Sequence, residues 1–332
     1  MEKIEVNINY LYSSFPELID ILLLDNTTKK NIIWATDHYK KRGTSYLETD
    51  EIKPFHLIGK VRVIRPRIEK SKTEQTKRSK DNAEVFTPSW IVNKHNNLVD
   101  NAWFGKEDVF NKENLDNTCN TWTSTEKIIF DGAKSWQNYV DDTRLEVCCG
   151  EAPYLVSRYD TVSGEKIEEK NRVGLLDRKF RVINENAIND EEWLTYAIKA
   201  IKSVYGYEFQ GDNLLIAREN VLLDFVDYYI LRFNKLPSKD LLIDIATIIS
   251  WNLWQMDGIK YVVPFSCHNE KAEFVQLSLF GEPEEPKFDI CPGCKNDDPK
   301  KHNGKRCYIM DWEENKKIKF VSLIWRSFEY VG

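Results

Sequence analysis

Three cysteines and one histidine lie within a short stretch of the sequence. They are Cys291, Cys294, His302 and Cys307, in the pattern Cys-x2-Cys-x7-His-x4-Cys. Two cysteines separated by two residues can hold one ion from a tight turn, and three thiolates with one imidazole form a soft, tetrahedral set. The pattern therefore predicts a closed structural zinc site, or zinc knuckle. The alternative is a reactive or merely exposed cysteine pair.

A second constellation combines acidic residues with a small-residue turn. Segment 145–155 reads LEVCCGEAPYL, so a short apolar strand that carries Glu146 leads into a turn at Gly150. Such a turn lets backbone N–H groups approach a ligand at the carboxyl end of a parallel strand. The later strand-like segment YGYEF ends near Glu208, whose carboxylate can accept hydrogen bonds from ribose hydroxyls. The ordered pair predicts a site for a nucleoside-containing cofactor.

Four segments in order resemble the motifs of the amino-group DNA methyltransferases that use S-adenosylmethionine, especially the modification subunits of restriction systems. Segment 83–92 is similar to the N-terminal cofactor motif, segment 145–155 to the methionine-end loop, and segment 204–220 to the ribose-binding strand with its helix. Segment 252–258 resembles the stretch whose acid contacts adenine. The cofactor-binding residues that this resemblance implies are Phe86, Thr87, Pro88, Glu146, Cys149, Gly150, Ala152, Glu208, Phe209 and Asp257.

The resemblance implies an α/β fold with a Rossmann-like class I methyltransferase sheet and a small zinc-knuckle segment. The family's Asn/Asp-Pro-Pro-aromatic tetrapeptide, which holds the target amino group, is absent. The nearest remnants are Asp311-Trp312, Asp37-His38-Tyr39 and segment 287–290, so the catalytic residues stay unknown. Only 21 of the 332 residues follow Asp311, whereas each further parallel strand needs a crossover of about a dozen residues or more. We therefore expect the sheet to be incomplete, reorganised or finished by another chain.

The basic residues of this acidic chain are concentrated in one segment. The chain carries a formal net charge of −6, yet residues 60–80 contain nine basic and two acidic residues, a net charge of +7. Such a strip attracts polyanions locally. We interpret it as a DNA-contacting arm, and a solvated linker is the alternative. The predicted DNA contacts are Arg65, Arg67, Lys70 and Lys72.

Changes of pattern along the chain predict three parts. Residues 1–80 form an N-terminal unit with the basic arm, residues 81–280 form the cofactor-binding domain, and residues 281–332 form the zinc-knuckle segment. Alternating strands and helices in the middle part favour a mostly parallel sheet covered by helices. Strands are predicted at 31–36, 57–64, 145–149, 205–209 and 317–325, and helices from about Asp190, Asp212 and Pro237.

The function that the resemblance implies is transfer of a methyl group from S-adenosylmethionine to the exocyclic amine of adenine in DNA. The system would be one of restriction-modification or phage defence. The alternative is a non-catalytic, cofactor-binding DNA-recognition subunit that needs a partner, such as a restriction subunit. A nuclease component is a weaker alternative, because the sequence lacks the paired His and carboxylate cluster that such a site needs.

Composition adds two expectations about the compartment. Seven cysteines are an odd number, which argues against a fully paired disulfide framework and for a reducing environment. No apolar run approaches the roughly 20 residues of a membrane helix, and the N-terminus does not look like a signal peptide. We therefore expect a cytoplasmic protein without a membrane partner.

Overall fold

Helices and small sheets alternate along the chain. A computed structural model of the protein describes residues 6–58, 62–82, 84–116, 119–132, 134–271 and 288–324. These residues confirm the mixed α/β class. Among the described helices, none combines the length and apolar composition that a membrane span requires.

Helices account for more of the described residues than strands do. Asn189 and Ser238 each cap a predicted helix by accepting a hydrogen bond from a backbone N–H three residues ahead, as capping residues do. The helices in the described part of the chain are α1 (Ile8–Ser14), α2 (Glu17–Leu23), α3 (Lys72–Asn82), α4 (Ser89–Phe104), α5 (Trp136–Asp141), α6 (Leu175–Asn186), α7 (Asp190–Lys202), α8 (Gly211–Phe233), α9 (Lys239–Asn252) and α10 (Pro292–Asn296).

The strands form one parallel sheet and several antiparallel pairs. They are β1 (Leu24–Asp25), β2 (Lys30–Asn31), β3 (Asn111–Asp116), β4 (Cys119–Ser124), β5 (Arg144–Val147), β6 (Val204–Glu208), β7 (Leu253–Gln255), β8 (Glu270–Lys271), β9 (Phe288–Asp289), β10 (Tyr308–Asp311) and β11 (Lys316–Lys319). The antiparallel pairs are β1–β2, β3–β4, β8–β9 and β10–β11. The predicted strand at 317–325 is thus confirmed only in its first part.

The parallel sheet has the order β5-β6-β7. Leu145 lies opposite Tyr205, and Tyr207 lies opposite Trp254. Two helices, α6 and α7, connect β5 to β6, and two more, α8 and α9, connect β6 to β7. Because all three strands run in the same direction, their carboxyl ends meet at one edge, which is where open α/β sheets bind ligands.

The hydrophobic core joins the N-terminal helices to the helices around this sheet. Trp34 and Trp193 are fully buried in it, and a smaller cluster packs Trp254 and Tyr207 against Phe320. Much of the high aromatic content therefore serves packing. The predicted boundary at residue 80 falls within α3, and the boundary at 280 lies outside the described residues.

Two predicted strands in the N-terminal part are wrong. Beyond Asn31, segment 31–36 runs beside the end of β7, where the Gln255 side chain donates to the carbonyl of Ile33 (2.8 Å) and accepts from its amide (2.9 Å). The Gly211 amide donates to the carbonyl of Trp34. On its other side, Ile33 forms an isolated antiparallel bridge with Glu51, so the segment has a backbone partner without forming the predicted strand. The described residues of segment 57–64 contain no strand either.

Candidate functional site

A cleft of about 680 Å³ lies at the carboxyl ends of the parallel strands. The loop after β5, residues Phe209 and Gln210 after β6, and Ile259 after β7 form its floor and sides. Residues 84–87, which precede α4, close it. Its volume is typical of a small-molecule site, and aromatic rings line it beside a few polar groups.

The structure brings together seven of the ten residues predicted to bind a cofactor. Those that line the cleft are Phe86, Thr87, Glu146, Cys149, Gly150, Glu208 and Phe209. Of the other three, Pro88 is the N-cap of α4, and Ala152 is fully buried. The carboxylate of Asp257 accepts hydrogen bonds from the N–H groups of Ile259 and Lys260, both at 3.0 Å. Asp257 therefore stabilises its own turn, one residue of which borders the cleft.

The loop after β5 is held in an unusual backbone conformation. Cys148, Gly150 and Ala152 alternate in the left-handed region, with φ values of 52°, 54° and 62°. A Cβ on Gly150 would meet no atom within 4 Å, so the requirement for glycine is conformational rather than steric. Non-glycine residues in this region store strain of about 1–3 kcal/mol each, and such strain concentrates at binding sites.

Glu208 connects this loop to the sheet. Its carboxylate accepts hydrogen bonds from the N–H groups of Gly150 and Gln210, each at 3.0 Å. Burial raises the pKa of Glu208 to about 7, although the two N–H donors oppose this shift. Each carboxylate oxygen has two acceptor positions. Glu208 therefore retains acceptor capacity for the hydroxyl groups of a ligand.

A second carboxylate lies below the same loop. Glu146 accepts hydrogen bonds from the N–H groups of Tyr154 (3.3 Å) and Leu155 (3.2 Å). Burial raises its pKa to about 8, and the nearby charge of Glu208 adds to the effect. Within the described residues, neither carboxylate forms an ion pair with a basic side chain. The cleft thus presents two acids whose charge the chain does not compensate.

One wall of the cleft is an ionic network. Arg78 bonds to Glu84, a lining residue, at 2.7 Å and to Asp212 at 2.8 Å. Asp212 also accepts a hydrogen bond of 2.8 Å from the buried Tyr39 hydroxyl. It was expected to cap α8, but Gln210 occupies the N-cap position and the Asp212 carboxylate faces Arg78 instead. The network fastens α3 to the sheet.

The predicted DNA-contacting arm is therefore only partly exposed. Lys70 is buried, with its ammonium 3.7 Å from Asp212, and the Arg67 guanidinium lies over the Phe86 ring at 4.9 Å. Lys72 is exposed, and the side chain of Arg65 is one-third exposed. The predicted DNA contact at Lys70 is thus a buried side chain, because acids of the body attract part of the basic strip inward. A mobile linker is excluded for residues 72–82, which form a helix.

Residues that the sequence reasoning missed hold the wall at 86–89 in place. The carboxylate of Asp160 accepts from the N–H of Ser89 at 2.6 Å, and the Thr161 hydroxyl donates to the Thr87 carbonyl at 2.9 Å. Both residues lie between the turn at Gly150 and the strand that ends near Glu208, where no functional residue beyond Ala152 was predicted. They were missed because nothing local marks a contact across about 70 positions.

The thiol cluster lies outside this cleft. Sulfur atoms of Cys267, Cys291 and Cys294 lie 3.6, 3.7 and 3.6 Å from Nδ1 of His302. One ring nitrogen can make only one ordinary hydrogen bond, so three sulfurs at equal distances indicate a ligand set. Bond lengths of about 2.3 Å to sulfur and 2.0–2.1 Å to nitrogen in a tetrahedron give separations of about 3.6 Å. The cluster can therefore hold a metal ion such as Zn²⁺.

One predicted ligand is wrong. Cys307 is buried in the smaller hydrophobic cluster, and its sulfur lies 3.5 Å from the carbonyl oxygen of Gln255. Cys307 begins the β10–β11 hairpin, since its carbonyl accepts from the N–H of Phe320. Cys267 supplies the fourth ligand. It was missed because it lies 24 positions before Cys291, beyond the reach of a local spacing pattern.

Close backbone approach shapes the cluster. A Cβ on Gly293 would lie 2.6 Å from the ring of His302, so only glycine fits there. The N–H of Asn303 donates to the sulfur of Cys291 at 3.4 Å. Burial alone would raise the pKa of Cys291, but N–H donors and His302 lower it to about 6. The surroundings thus favour a thiolate at Cys291, which is the form that binds metal.

The catalytic candidates lie outside the cleft. Asp311 accepts from the N–H groups of Glu313 and Glu314 and so closes the β10–β11 turn. Trp312 donates to the side-chain oxygen of Asn252 at 2.7 Å. Both line a different cavity, near the amino ends of β5 and β6. A role for Asp311 and Trp312 at the cofactor is therefore wrong, because the opposite end of the sheet separates them from it.

The remaining candidate triplet lies nearer the cleft. Ala35 borders the cleft, and Asp37 and His38 follow it in the chain. The Tyr39 hydroxyl, however, already donates its hydrogen bond to Asp212.

Comparison of the chain with protein-family models, with curated protein sequences and with solved structures found no match. The function is therefore inferred from the residues of the cleft and the thiol cluster themselves.

Proposed function

We propose that the protein is an S-adenosylmethionine-dependent DNA methyltransferase of a restriction-modification or phage-defence system, in which β5, β6 and β7 belong to a Rossmann-like sheet. One observation supports this most. Three segments that resemble cofactor motifs, 86–87, 146–150 and 208–209, line a single cleft at the carboxyl edge of parallel strands. They are separated by about 60 residues each, so local sequence does not force them together.

The lining residues suit the parts of the cofactor. Glu208 has free acceptor positions for the two ribose hydroxyls. The rings of Phe86 and Phe209 offer apolar faces for adenine. The strained loop at Gly150 leaves open space on the side where a Cβ would stand, which suits the close approach of the methionine end. The thiol cluster would hold a structural zinc ion, since all four positions are filled by protein ligands.

Catalysis in this proposal is mainly positioning. The cofactor supplies an electrophilic methyl group, and the exocyclic amine of a flipped base is its acceptor. The chain contributes a fixed orientation of both reactants and shelter from water. Because acidic groups and no Lys or Arg line the described cleft, the cleft also suits the positively charged sulfonium of the cofactor once Glu208, with its pKa of about 7, is ionised.

A second function is favoured by a specific observation. Asp311 and Trp312, the candidates for holding the target amine, lie at the opposite end of the sheet. A cofactor-binding DNA-recognition subunit that needs a partner, such as a restriction subunit, would retain the cleft without these groups. The two functions share the cofactor and differ in methyl transfer.

Two measurements test the proposal. Calorimetry should show binding of S-adenosylmethionine to the wild-type chain, loss of at least tenfold in affinity for Glu208→Ala, and no change for the control Asp311→Asn. Transfer of a labelled methyl group to unmodified duplex DNA then separates the two functions. Binding without transfer favours the recognition subunit, and absence of cofactor binding refutes both.

A further inference from the structure

A smaller cavity of about 190 Å³ lies on the other side of the Arg78 network from the cofactor cleft. Two chain segments form it, the turn after Thr36 and the region from Val63 to α3. Seven of its lining side chains are basic and two are acidic: Lys40, Lys41, Arg42, Arg65, Lys70, Lys77 and Arg78, against Asp37 and Glu74. The cavity is strongly positive on a chain whose net charge is negative.

The acids of the chain compensate only part of this charge. Arg78 is paired with Glu84 and Asp212. Lys40 is paired with Asp37 at 2.6 Å. Arg65 lies 3.9 Å from Glu74, and Lys77 lies 4.0 Å from Asp81. These two contacts are weak, because each of the four side chains is about one-third exposed or more.

Three cations remain with little or no compensation. Lys41 and Arg42 are exposed and form no ion pair with any residue that the structure describes. The Lys70 side chain is only 4% exposed. Its Nζ makes no hydrogen bond within the described chain, and the nearest carboxylate oxygen, from Asp212, is 3.7 Å away.

Burial of an ammonium group without a hydrogen-bond acceptor costs several kcal/mol unless a ligand supplies the acceptor. The side chain of His38 adds a second buried nitrogen without a partner, Nε2, on the same cavity. Two buried polar atoms without partners, in a cavity lined mainly by cations, point to an anion with several oxygen atoms.

We infer that this cavity binds a phosphate group. Lys70 and the His38 ring would bond to it from inside, and Lys41 and Arg42 would close over it from the solvent side. The cavity has room for such a group with a few waters, at about 30 Å³ per water. A tetrahedral oxyanion is small enough to fit and has the acceptors that these atoms lack.

The phosphate can come from two sources. One is a free phosphate or a phosphomonoester, and the other is the backbone of a DNA strand that passes beside the cofactor cleft. The site itself is independent of the proposed function, whereas the DNA source rests on it. Arg78 lines the cavity and its partner Glu84 lines the cleft, so a strand held here would pass close to the cofactor.

The test uses the full chain without cofactor, so that its outcome does not depend on methyl transfer. Inorganic phosphate and an unmodified duplex oligonucleotide are the two probes, in calorimetry and in fluorescence anisotropy over a range of salt. The main variant is Lys41→Gln with Arg42→Gln, both at exposed positions where folding is not disturbed. Lys70→Met tests the buried nitrogen, and Lys94→Gln with Lys112→Gln, exposed outside the cavity, is the matched control.

The expected result is at least tenfold weaker binding of one probe by the main variant and by Lys70→Met, with no change in the control. A change in phosphate binding assigns the free-phosphate source. A change in DNA binding alone, with a salt slope reduced by about two in the double variant, assigns the DNA backbone. If neither probe distinguishes the main variant from the control, the inference is wrong, whatever the cofactor measurements show.

Discussion

The protein buries carboxylates in two different ways. In the helical layer, Asp100 bonds to Arg178 at 2.5 Å, and Arg172 bonds to Asp224 and Asp227 at 2.6 and 2.7 Å. In the cleft, Glu146 and Glu208 are equally buried but accept only backbone N–H groups within the described chain. One region pairs its carboxylates with guanidinium groups, and the other leaves acceptor capacity for a ligand.

The difference separates structural polar groups from candidate functional ones. A buried acid with a guanidinium partner is satisfied, and removal of the partner leaves an uncompensated charge. A buried acid without such a partner has a raised pKa, which is common at binding and catalytic sites. The thiol cluster resembles the cleft in this respect, because its ligand atoms converge on a common centre rather than on partners of the chain.

The largest effect is expected at the thiol cluster. Cys267→Ala should reduce the metal content from about one zinc per chain to none and destabilise the protein by several kcal/mol, because zinc binding adds to the folding free energy. Cys307→Ala, at a buried cysteine outside the cluster, should keep its metal. Elemental analysis with urea denaturation measures both. The reverse pattern would restore the ligand set predicted from the spacing.

The next largest effect is expected at the buried ion pairs of the helical layer. Arg178→Met removes the partner of Asp100, both of which are 1% exposed, and should lower the free energy of unfolding by about 3–5 kcal/mol. Arg232→Met, at a more exposed pair with Asp190, should lower it by no more than about 1 kcal/mol. Urea denaturation of both variants gives the comparison, and equal losses would show that burial of the pair is not what matters.

A smaller effect is the pH dependence of stability, which has opposite signs for Glu146 and Glu208 in the cleft and for Asp227 in the helical layer. Burial raises the pKa of Glu146 to about 8 and of Glu208 to about 7. The contribution of these two groups to the free energy of unfolding is fully present below their ordinary pKa of 4.5. It is lost as the pH rises through their raised pKa values, at up to about 1.4 kcal/mol per pH unit and group. Burial alone would raise the pKa of Asp227, but the charges of Arg158 and Arg172 lower it below its ordinary value. Its contribution is present above the ordinary 3.8 and is lost as the pH falls through its lowered pKa.

Unfolding measured between about pH 5 and pH 8 checks this sign. Relative to the wild type, Glu146→Gln should gain stability as the pH rises, because an amide does not ionise. Asp227→Asn should be less stable than the wild type throughout this pH range. Parallel curves for Glu146→Gln and the wild type would mean that Glu146 is ionised without penalty.

The sequence predicted some features well because they depend on local physics. Ser238 and the apolar stripe after it define α9, and the run that ends at Gly150 defines β5 and its turn. The resemblance named most of the cleft residues in advance. The helix α9, the strand β5 and its turn are set by neighbours within a few positions of the chain, whereas the convergence of the cleft residues is not.

Other features depend on partners far along the chain. The Gln255 side chain bonds to the backbone of Ile33, Asp212 attracts Lys70 inward, and Cys267 completes the thiol cluster. No local pattern encodes these contacts, because they arise only when distant segments pack. The basic strip shows this most clearly, since a count of charges cannot tell which cations are internally neutralised.

The central claim is that Glu208 holds the ribose of a nucleoside cofactor in the cleft. Calorimetry with adenosine and 2′,3′-dideoxyadenosine, on the wild type and Glu208→Ala above pH 7, tests it most directly. The wild type should bind adenosine at least tenfold more tightly, about 1.4 kcal/mol, and Glu208→Ala should hardly distinguish the two. Equal affinity of the wild type for both nucleosides, or no binding of adenosine, would contradict the claim.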